Sequence, residues 1–163
     1  MRIAYADPPY LGYAYYYEEH KEVDHAELLD NLAAYDGWAL SCYSGSLRKI
    51  LALPNLPDDI RIGSWVKTFV PYKTQNPVYA WEPVIFHGGR RLKGDKVLDW
   101  VQCSVTLKTG MIGSKPEKFC FWMFLMLGAR RGDELVDMFP GSGAVTKAWD
   151  KYQRQTRLVL EET

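Results

Sequence analysis

Ile3-Ala4-Tyr5-Ala6-Asp7-Pro8-Pro9-Tyr10 is the stretch on which the fold turns: a short apolar run closed by an acid, two prolines and an aromatic ring. Four apolar residues bounded by turn-forming ones read as a buried strand. The proline rings fix φ and remove two N–H donors, so a carbonyl rather than a donor can face a pocket at the strand's end. A second unit of the same kind lies far along the chain. Glu134-Leu135-Val136 runs into Asp137-Met138-Phe139-Pro140-Gly141-Ser142-Gly143, which reads as strand, acid, glycine turn and then a helix.

Between these two units the chain alternates. Asp24 followed three residues later by Glu27 has the form of a capping box for a helix to about Tyr35, stopped at Asp36-Gly37. Trp38 to Cys42 reads as a strand, Ser46 to Leu53 as a short helix ended by Pro54, and Arg61 to Val66 and Trp81 to Phe86 as further strands. Residues 90–114 show mixed polarity without a period and are expected to be a flexible insertion. Lys115-Pro116-Glu117 opens an apolar helix from Lys118 to Leu127, Gly143 to Tyr152 is a further helix, and Arg157 to Leu160 reads as a closing strand. Alternating strands and helices imply an α/β layer fold with a largely parallel sheet, a single domain spanning residues 1–163.

Composition narrows the classes. At 163 residues and 47% hydrophobic content the chain can bury one sizeable core. No apolar run approaches the roughly 18 residues that cross a bilayer, and Asp7 and the prolines interrupt the first apolar stretch too early for a signal peptide. A cytoplasmic protein without a membrane partner is expected. Cys42, Cys103 and Cys120 are odd in number and widely spaced, and His20, His25 and His87 have no ligand spacing with them, so neither a disulfide framework nor a metal site is expected. Formal net charge is zero but uneven: residues 1–40 carry two basic groups against eight acidic, and residues 88–118 seven basic against three acidic. That basic stretch, with Arg90 and Arg91, reads either as a surface for a phosphate backbone or as an ordinary solvated loop.

The two strand-end units suggest chemistry. Glycines at Gly141 and Gly143 let a ligand approach the backbone at a helix N-terminus, and an acid after Leu158-Val159-Leu160, Glu161, sits where ribose hydroxyls are held in nucleoside-binding α/β folds. A single Gly-x-Gly without a third glycine, and without Gly-Lys-Ser/Thr, fits a phosphate-free ligand better than a dinucleotide or triphosphate. S-adenosylmethionine meets that description. Lys115 would meet its carboxylate and Phe139 its apolar parts; Lys115-Pro116-Glu117 reads equally as a plain helix start. At the first unit, Asp7 and the Pro8 carbonyl can accept the N–H groups of an exocyclic amine on a flat base, localising its lone pair, while Tyr10 stacks on the ring. Such a base must first leave its helix.

Asp7-Pro8-Pro9-Tyr10 together with Asp137 to Gly143 resembles the catalytic and cofactor motifs of the amino-methylating nucleic acid methyltransferases of the adenine-N6 type. Lys115-Pro116-Glu117 resembles the motif preceding the family's cofactor strand, and Trp81-Glu82-Pro83-Val84-Ile85 its late strand with a Glu-Pro pair. Catalytic motif first and cofactor motif last is the circularly permuted, beta-class order. The resemblance implies a Rossmann-like class I methyltransferase sheet with one antiparallel strand, truncated by one strand to about six. It implies Asp7, Pro8, Pro9 and Tyr10 as catalytic residues and S-adenosyl-L-methionine as cofactor, held by Lys115, Pro116, Asp137, Phe139, Gly141, Ser142, Gly143 and Glu161. The resemblance implies nucleic acid as partner, DNA ahead of RNA, and Tyr15, Tyr16, Arg90 and Arg91 are the candidate contacts. The tyrosines Tyr13, Tyr15, Tyr16 and Tyr17 read equally as a packed lid. Cytosine N4 is the rival target, a non-catalytic subunit of a methyltransferase complex the rival class, and a protein partner or homodimer stays open.

Overall fold

The computed structural model describes residues 1–16, 21–70, 76–91, 93–94, 96–105 and 114–161. The chain runs β1 (Arg2–Ala6), a 3-10 turn at Ala14–Tyr16, α1 (His25–Leu32), β2 (Gly37–Ser41), α2 (Leu47–Leu51), β3 (Arg61–Lys67), β4 (Trp81–Gly88), β5 (Trp100–Cys103), α3 (Glu117–Met126), β6 (Glu134–Asp137) and α4 (Ala144–Glu161). The strands form one six-stranded sheet in the order β5-β3-β4-β2-β1-β6. β1 pairs in parallel with β2 and β6, and β3 with β5, whereas β4 is antiparallel to both its neighbours. The Rossmann-like α/β sheet with a single reversed strand is therefore present.

Side-chain alternation along the strands assigns the two faces. Ile3, Tyr5, Trp65, Val84 and Phe86 pack with Phe119, Trp122, Met123 and Phe124 of α3 and Val145, Ala148 and Tyr152 of α4. Ala4, Ala6, Trp38, Leu40 and Ile85 point the other way, against Leu28, Leu29 and Leu32 of α1 and Ile50 of α2. Asp24 caps α1 as its spacing indicated, its carboxylate accepting from the N–H groups of Ala26 and Glu27 at 2.9 and 3.2 Å. β2 begins at a backbone crossing that only glycine permits: a Cβ on Gly37 would collide with the backbone of Gly89.

Two sequence expectations are overturned. Arg157 to Leu160 is not a closing strand; it continues α4, an 18-residue helix without an internal glycine or proline to stop it. A run as short as Leu158-Val159-Leu160 carries no period that could separate strand from helix. The stretch 90–114 is not wholly an insertion either, because Trp100–Cys103 adds the edge strand β5. Val101 enters the core there, the Trp65 indole N–H donates to the Cys103 carbonyl at 3.1 Å, and the Trp122 indole N–H to that of Leu98 at 2.8 Å. Two tryptophans from elsewhere in the fold fasten a strand too short to announce itself.

Candidate active site

Parallel strands deliver their last residues to one edge of a sheet, and the reversed β4 delivers its first residues to that same edge. Asp7 follows β1 and Asp137 ends β6; the register pairs Tyr5 with Asp137, so the two acids reach the same end of the sheet from neighbouring strands, Asp7 two residues further along, and the Asp7 charge is felt at Asp137. Glu82, the second residue of β4, lies opposite Trp65, and Lys67 ends β3. Lys115 comes from the loop before α3.

These side chains form one connected charge cluster. The Lys115 ammonium lies 2.9 Å from Asp7 Oδ1 and 3.3 Å from Glu82 Oε2. Lys67 closes on the other Glu82 oxygen, and the Tyr10 hydroxyl donates to Glu82 Oε2 at 2.8 Å. The Lys115 ammonium also lies 5.3 Å from the Trp65 ring centroid and 5.8 Å from that of Phe119. Tyr10 is thereby fixed at both ends: its hydroxyl by Glu82, its ring by the near-parallel Tyr43 at 6.2 Å. Tyr13 and Tyr79 pack on Tyr43 edge-on at 5.5 and 4.8 Å.

Burial and charge act in opposition here. Burial pushes the Asp7 carboxyl above its ordinary value, against the pull of Lys115. Burial also disfavours the Lys115 ammonium, but Asp7, Tyr10, Tyr5 and Glu82 together raise it well above the usual lysine value, so it stays charged. Glu82 is disfavoured by burial too, yet Lys115 and Lys67 bring it down to about 2. Two carboxylates and two ammonium groups leave the cluster neutral before any ligand arrives.

The glycine turn adjoins it. Gly141 and Gly143 adopt φ of +42° and +67°, and the Gly143 N–H donates to the Pro140 carbonyl at 2.7 Å. A Cβ on Gly143 would meet nothing of the protein within 4 Å, so the turn opens on free space. Asp137 Oδ1 accepts from the Phe139 N–H at 3.3 Å while Oδ2, buried, has no partner; burial raises this carboxyl, and Asp7 nearby adds to the rise. An orphaned buried oxygen beside an open glycine turn suits a ligand that brings hydroxyl or ammonium donors. Phe139 packs partly into the core on the α1 side. Ser142 Oγ donates to Ser114 Oγ at 3.1 Å, so the loop Ser114-Lys115-Pro116 touches both halves of the site.

Of the residues singled out in the sequence, Asp7, Pro8, Pro9, Tyr10, Lys115, Pro116, Asp137, Phe139, Gly141, Ser142 and Gly143 converge on this edge. The Lys115 ammonium is held between Asp7 and Glu82. Glu161 is not at the end of a strand but at the far end of α4, about 25 Å of helix from Ala144 at 1.5 Å per residue. Arg90 follows the end of β4 and therefore sits at the opposite edge of the sheet, where its guanidinium donates to both Asp133 oxygens at 2.7 and 2.9 Å and to the Gly128 carbonyl at 2.8 Å. Arg91, beside it, lines a cleft with Lys93 and Arg130. Tyr15 is exposed and stacked on Tyr13; the side chains of Tyr16 and Glu161 lie outside the described residues, as do Tyr17 and Lys108.

Sequence reading missed Glu82, Lys67 and Tyr43 as site residues. Glu82 carried a usable signal, a carboxylate inside the otherwise apolar run Trp81 to Phe86, since a charge buried in a sheet requires partners. Among the described residues no group of histidine, cysteine, aspartate and glutamate side chains could hold a metal ion, and no helix is long and apolar enough to cross a membrane.

No family model and no curated protein sequence matches the chain. Solved structures do. A crystal structure of an M1.HpyAVI–SAM complex superposes with a TM-score of 0.60 at 15% identity, over 91% of this chain and 77% of that one. A crystal structure of M1.HpyAVI superposes equally, TM-score 0.60 at 14% identity, over 93% and 76%. At such identity the likeness shows the fold: this chain has the α/β sheet architecture of those structures.

Proposed function

We propose that this chain transfers a methyl group from S-adenosylmethionine to the exocyclic N6 amine of adenine in nucleic acid, DNA ahead of RNA, in the permuted order of motifs. The observation that carries the reading is that Asp7 and Asp137 stand at the same end of neighbouring parallel strands, which brings an amine-accepting turn and an open glycine turn to one edge of the sheet. The solved neighbour carries SAM, which agrees with the ligand suggested by the orphaned Asp137 oxygen.

S-adenosylmethionine, when bound, supplies a methyl carbon on a sulfonium sulfur that departs as a neutral thioether. Gly141 and Gly143 leave room for it against the backbone, and Asp137 offers the unpaired oxygen. Asp7 and the Pro8 carbonyl accept the two N–H groups of the target amine, which turns its lone pair out of the ring and toward the methyl carbon. Tyr10, held by Glu82 and Tyr43, provides a fixed face for the extruded base, worth roughly 1 to 3 kcal/mol by stacking. Asp7 would take the proton that the amine nitrogen sheds on methylation and pass it to solvent.

Incubation with labelled S-adenosylmethionine and unmethylated double-stranded DNA, single-stranded DNA or RNA, followed by nucleoside mass spectrometry, tests this. N6-methyladenine that disappears in Asp7→Ala is the expected product. N4-methylcytosine instead would move the target, and cofactor binding with no modified nucleoside would replace the enzyme by a binding module.

A further inference from the structure

We propose that Lys115 reads the ring nitrogen beside the target amine, so that Asp7 and Lys115 together recognise the paired edge, amine donor next to ring acceptor, that adenine and cytosine share; this rests on the amine-methylating reading above. Asp7 as a carboxylate can only accept hydrogen bonds, and Lys115 as an ammonium can only donate. The two sit 2.9 Å apart. In adenine the N6 amine adjoins the acceptor N1, and in cytosine the N4 amine adjoins the acceptor N3. These nitrogens lie about 2.3 Å apart across two C–N bonds of about 1.33 Å. Two nearly parallel hydrogen bonds of about 2.9 Å therefore fit between the base edge and the Asp7–Lys115 pair.

The lysine is built for a fixed position rather than for reach. Its side chain is 5% exposed, and two of its three hydrogens are spoken for by Asp7 and Glu82. Its ammonium lies beside the Trp65 and Phe119 rings and 6.0 Å from the Tyr10 centroid, next to the ring on which the base would stack. One donor remains. Buried in this way between two carboxylates, Lys115 is not placed to meet a backbone phosphate. Glu82 is then the positioning residue: it neutralises Lys115, leaving Asp7 free to receive the amine, and it orients Tyr10 at the same time.

The test compares oligonucleotides carrying adenine or 1-deazaadenine at the methylated position, with cytosine and 3-deazacytosine as the second pair. Both kcat/KM and equilibrium binding are measured for wild type, Lys115→Met and Lys115→Arg. Replacing the ring nitrogen by C–H removes an electron-withdrawing atom and makes the amine intrinsically more nucleophilic, so a slower reaction reports lost recognition. Wild type is expected to lose about tenfold or more in kcat/KM on the deaza base, the scale of one charge-assisted hydrogen bond. Lys115→Met is expected to be slow on both bases with a ratio near one, Lys115→Arg to keep discrimination, and S-adenosylmethionine affinity to stay within about threefold, well under one hydrogen bond. Equal rates on adenine and 1-deazaadenine with wild type overturn the proposal whether or not the variants fold. So does a Lys115→Met protein that still discriminates, or whose defect is entirely in cofactor affinity. If wild type methylates nothing yet binds the natural bases more tightly than the deaza bases through Lys115, the recognition stands and the methyl-transfer reading fails; absence of both sinks the two together.

Discussion

Replacing Glu82 by glutamine keeps the shape of the side chain and removes the charge shared by Lys67, Lys115 and Tyr10. The carboxyl is held at about 2, against an ordinary value of 4.5. That difference corresponds to about 3 kcal/mol favouring the ionised form in the folded protein. Breaking a buried ion pair by neutralising one partner costs about 3 to 5 kcal/mol by comparison with other proteins, the same scale. Urea unfolding at pH 7 is therefore expected to show Glu82→Gln about 3 kcal/mol less stable. The pH dependence has a definite sign. A carboxyl with a lowered folded-state pKa contributes stability that is complete above its unfolded value of 4.5 and is lost as pH falls through about 2. The gap between wild type and variant should accordingly be wide at neutral pH and shrink through that window. The raised pKa of Asp7 works in the opposite direction; burial is its largest cause and Glu82 a lesser one, so most of it is common to both proteins and the difference between them is chiefly that of Glu82. A variant as stable as wild type at pH 7, or a gap unchanged from pH 5 to pH 2, would show that the cluster is not held together by this carboxylate.

Four further outcomes are expected. Asp7→Ala should lower turnover about 100- to 1000-fold with folding intact, because Lys115 keeps Glu82 as counter-ion; a collapsed far-UV spectrum would make Asp7 a structural residue. The rate should rise with pH as the Asp7 carboxyl loses its proton, with an acid limb in kcat/KM above the ordinary carboxylate value of 3.8, since burial outweighs the pull of Lys115; a limb at or below 3.8 contradicts this. Gly143→Ala should cost about 1 kcal/mol for its φ of +67° but weaken S-adenosylmethionine binding by about tenfold, measured by calorimetry, and unchanged affinity would move the cofactor elsewhere. Arg90→Ala should lower stability by about 1 kcal/mol through its lost bonds to Asp133 and Gly128 while nucleic acid affinity stays as in wild type; a binding defect without a stability change would return Arg90 to the substrate.

The strands β1, β2, β4 and β6 were legible as largely apolar runs beside turn residues, and β3, which mixes Arg61, Gly63 and Ser64 with Ile62, Trp65 and Val66, through its β-branched and aromatic residues. The direction of β4 was not written in its own residues. The resemblance implied one antiparallel strand without saying which, and the reversal of β4 is what brings Glu82 to Asp7 and carries Arg90 away. β5 escaped notice because four residues show no period and their anchoring indoles, Trp65 and Trp122, are distant in sequence. The tail was misread for a related reason: helix or strand is decided by what precedes Leu158, an uninterrupted helix, rather than by the apolar triplet itself. Asp7, Tyr10, Asp137 and the glycine turn were readable as motifs. The partners of Lys115 were not, because only the folded sheet sets Glu82 beside it.

The two edges of this sheet differ in how much change they can absorb. At the edge where Gly37 crosses Gly89, main chain lies against main chain, and even a methyl group has no place. At the other edge the chain leaves Lys67 and returns at Trp81, entering and exiting beside the charge cluster. Within that connection Tyr79 packs edge-on against Tyr43, the ring that backs Tyr10, so the link between β3 and β4 is itself part of the wall of the site. One end of the sheet is thus closed by backbone contact that admits no side chain, while the other is finished by side chains, so a substitution at the first tests the fold and one at the second tests the site.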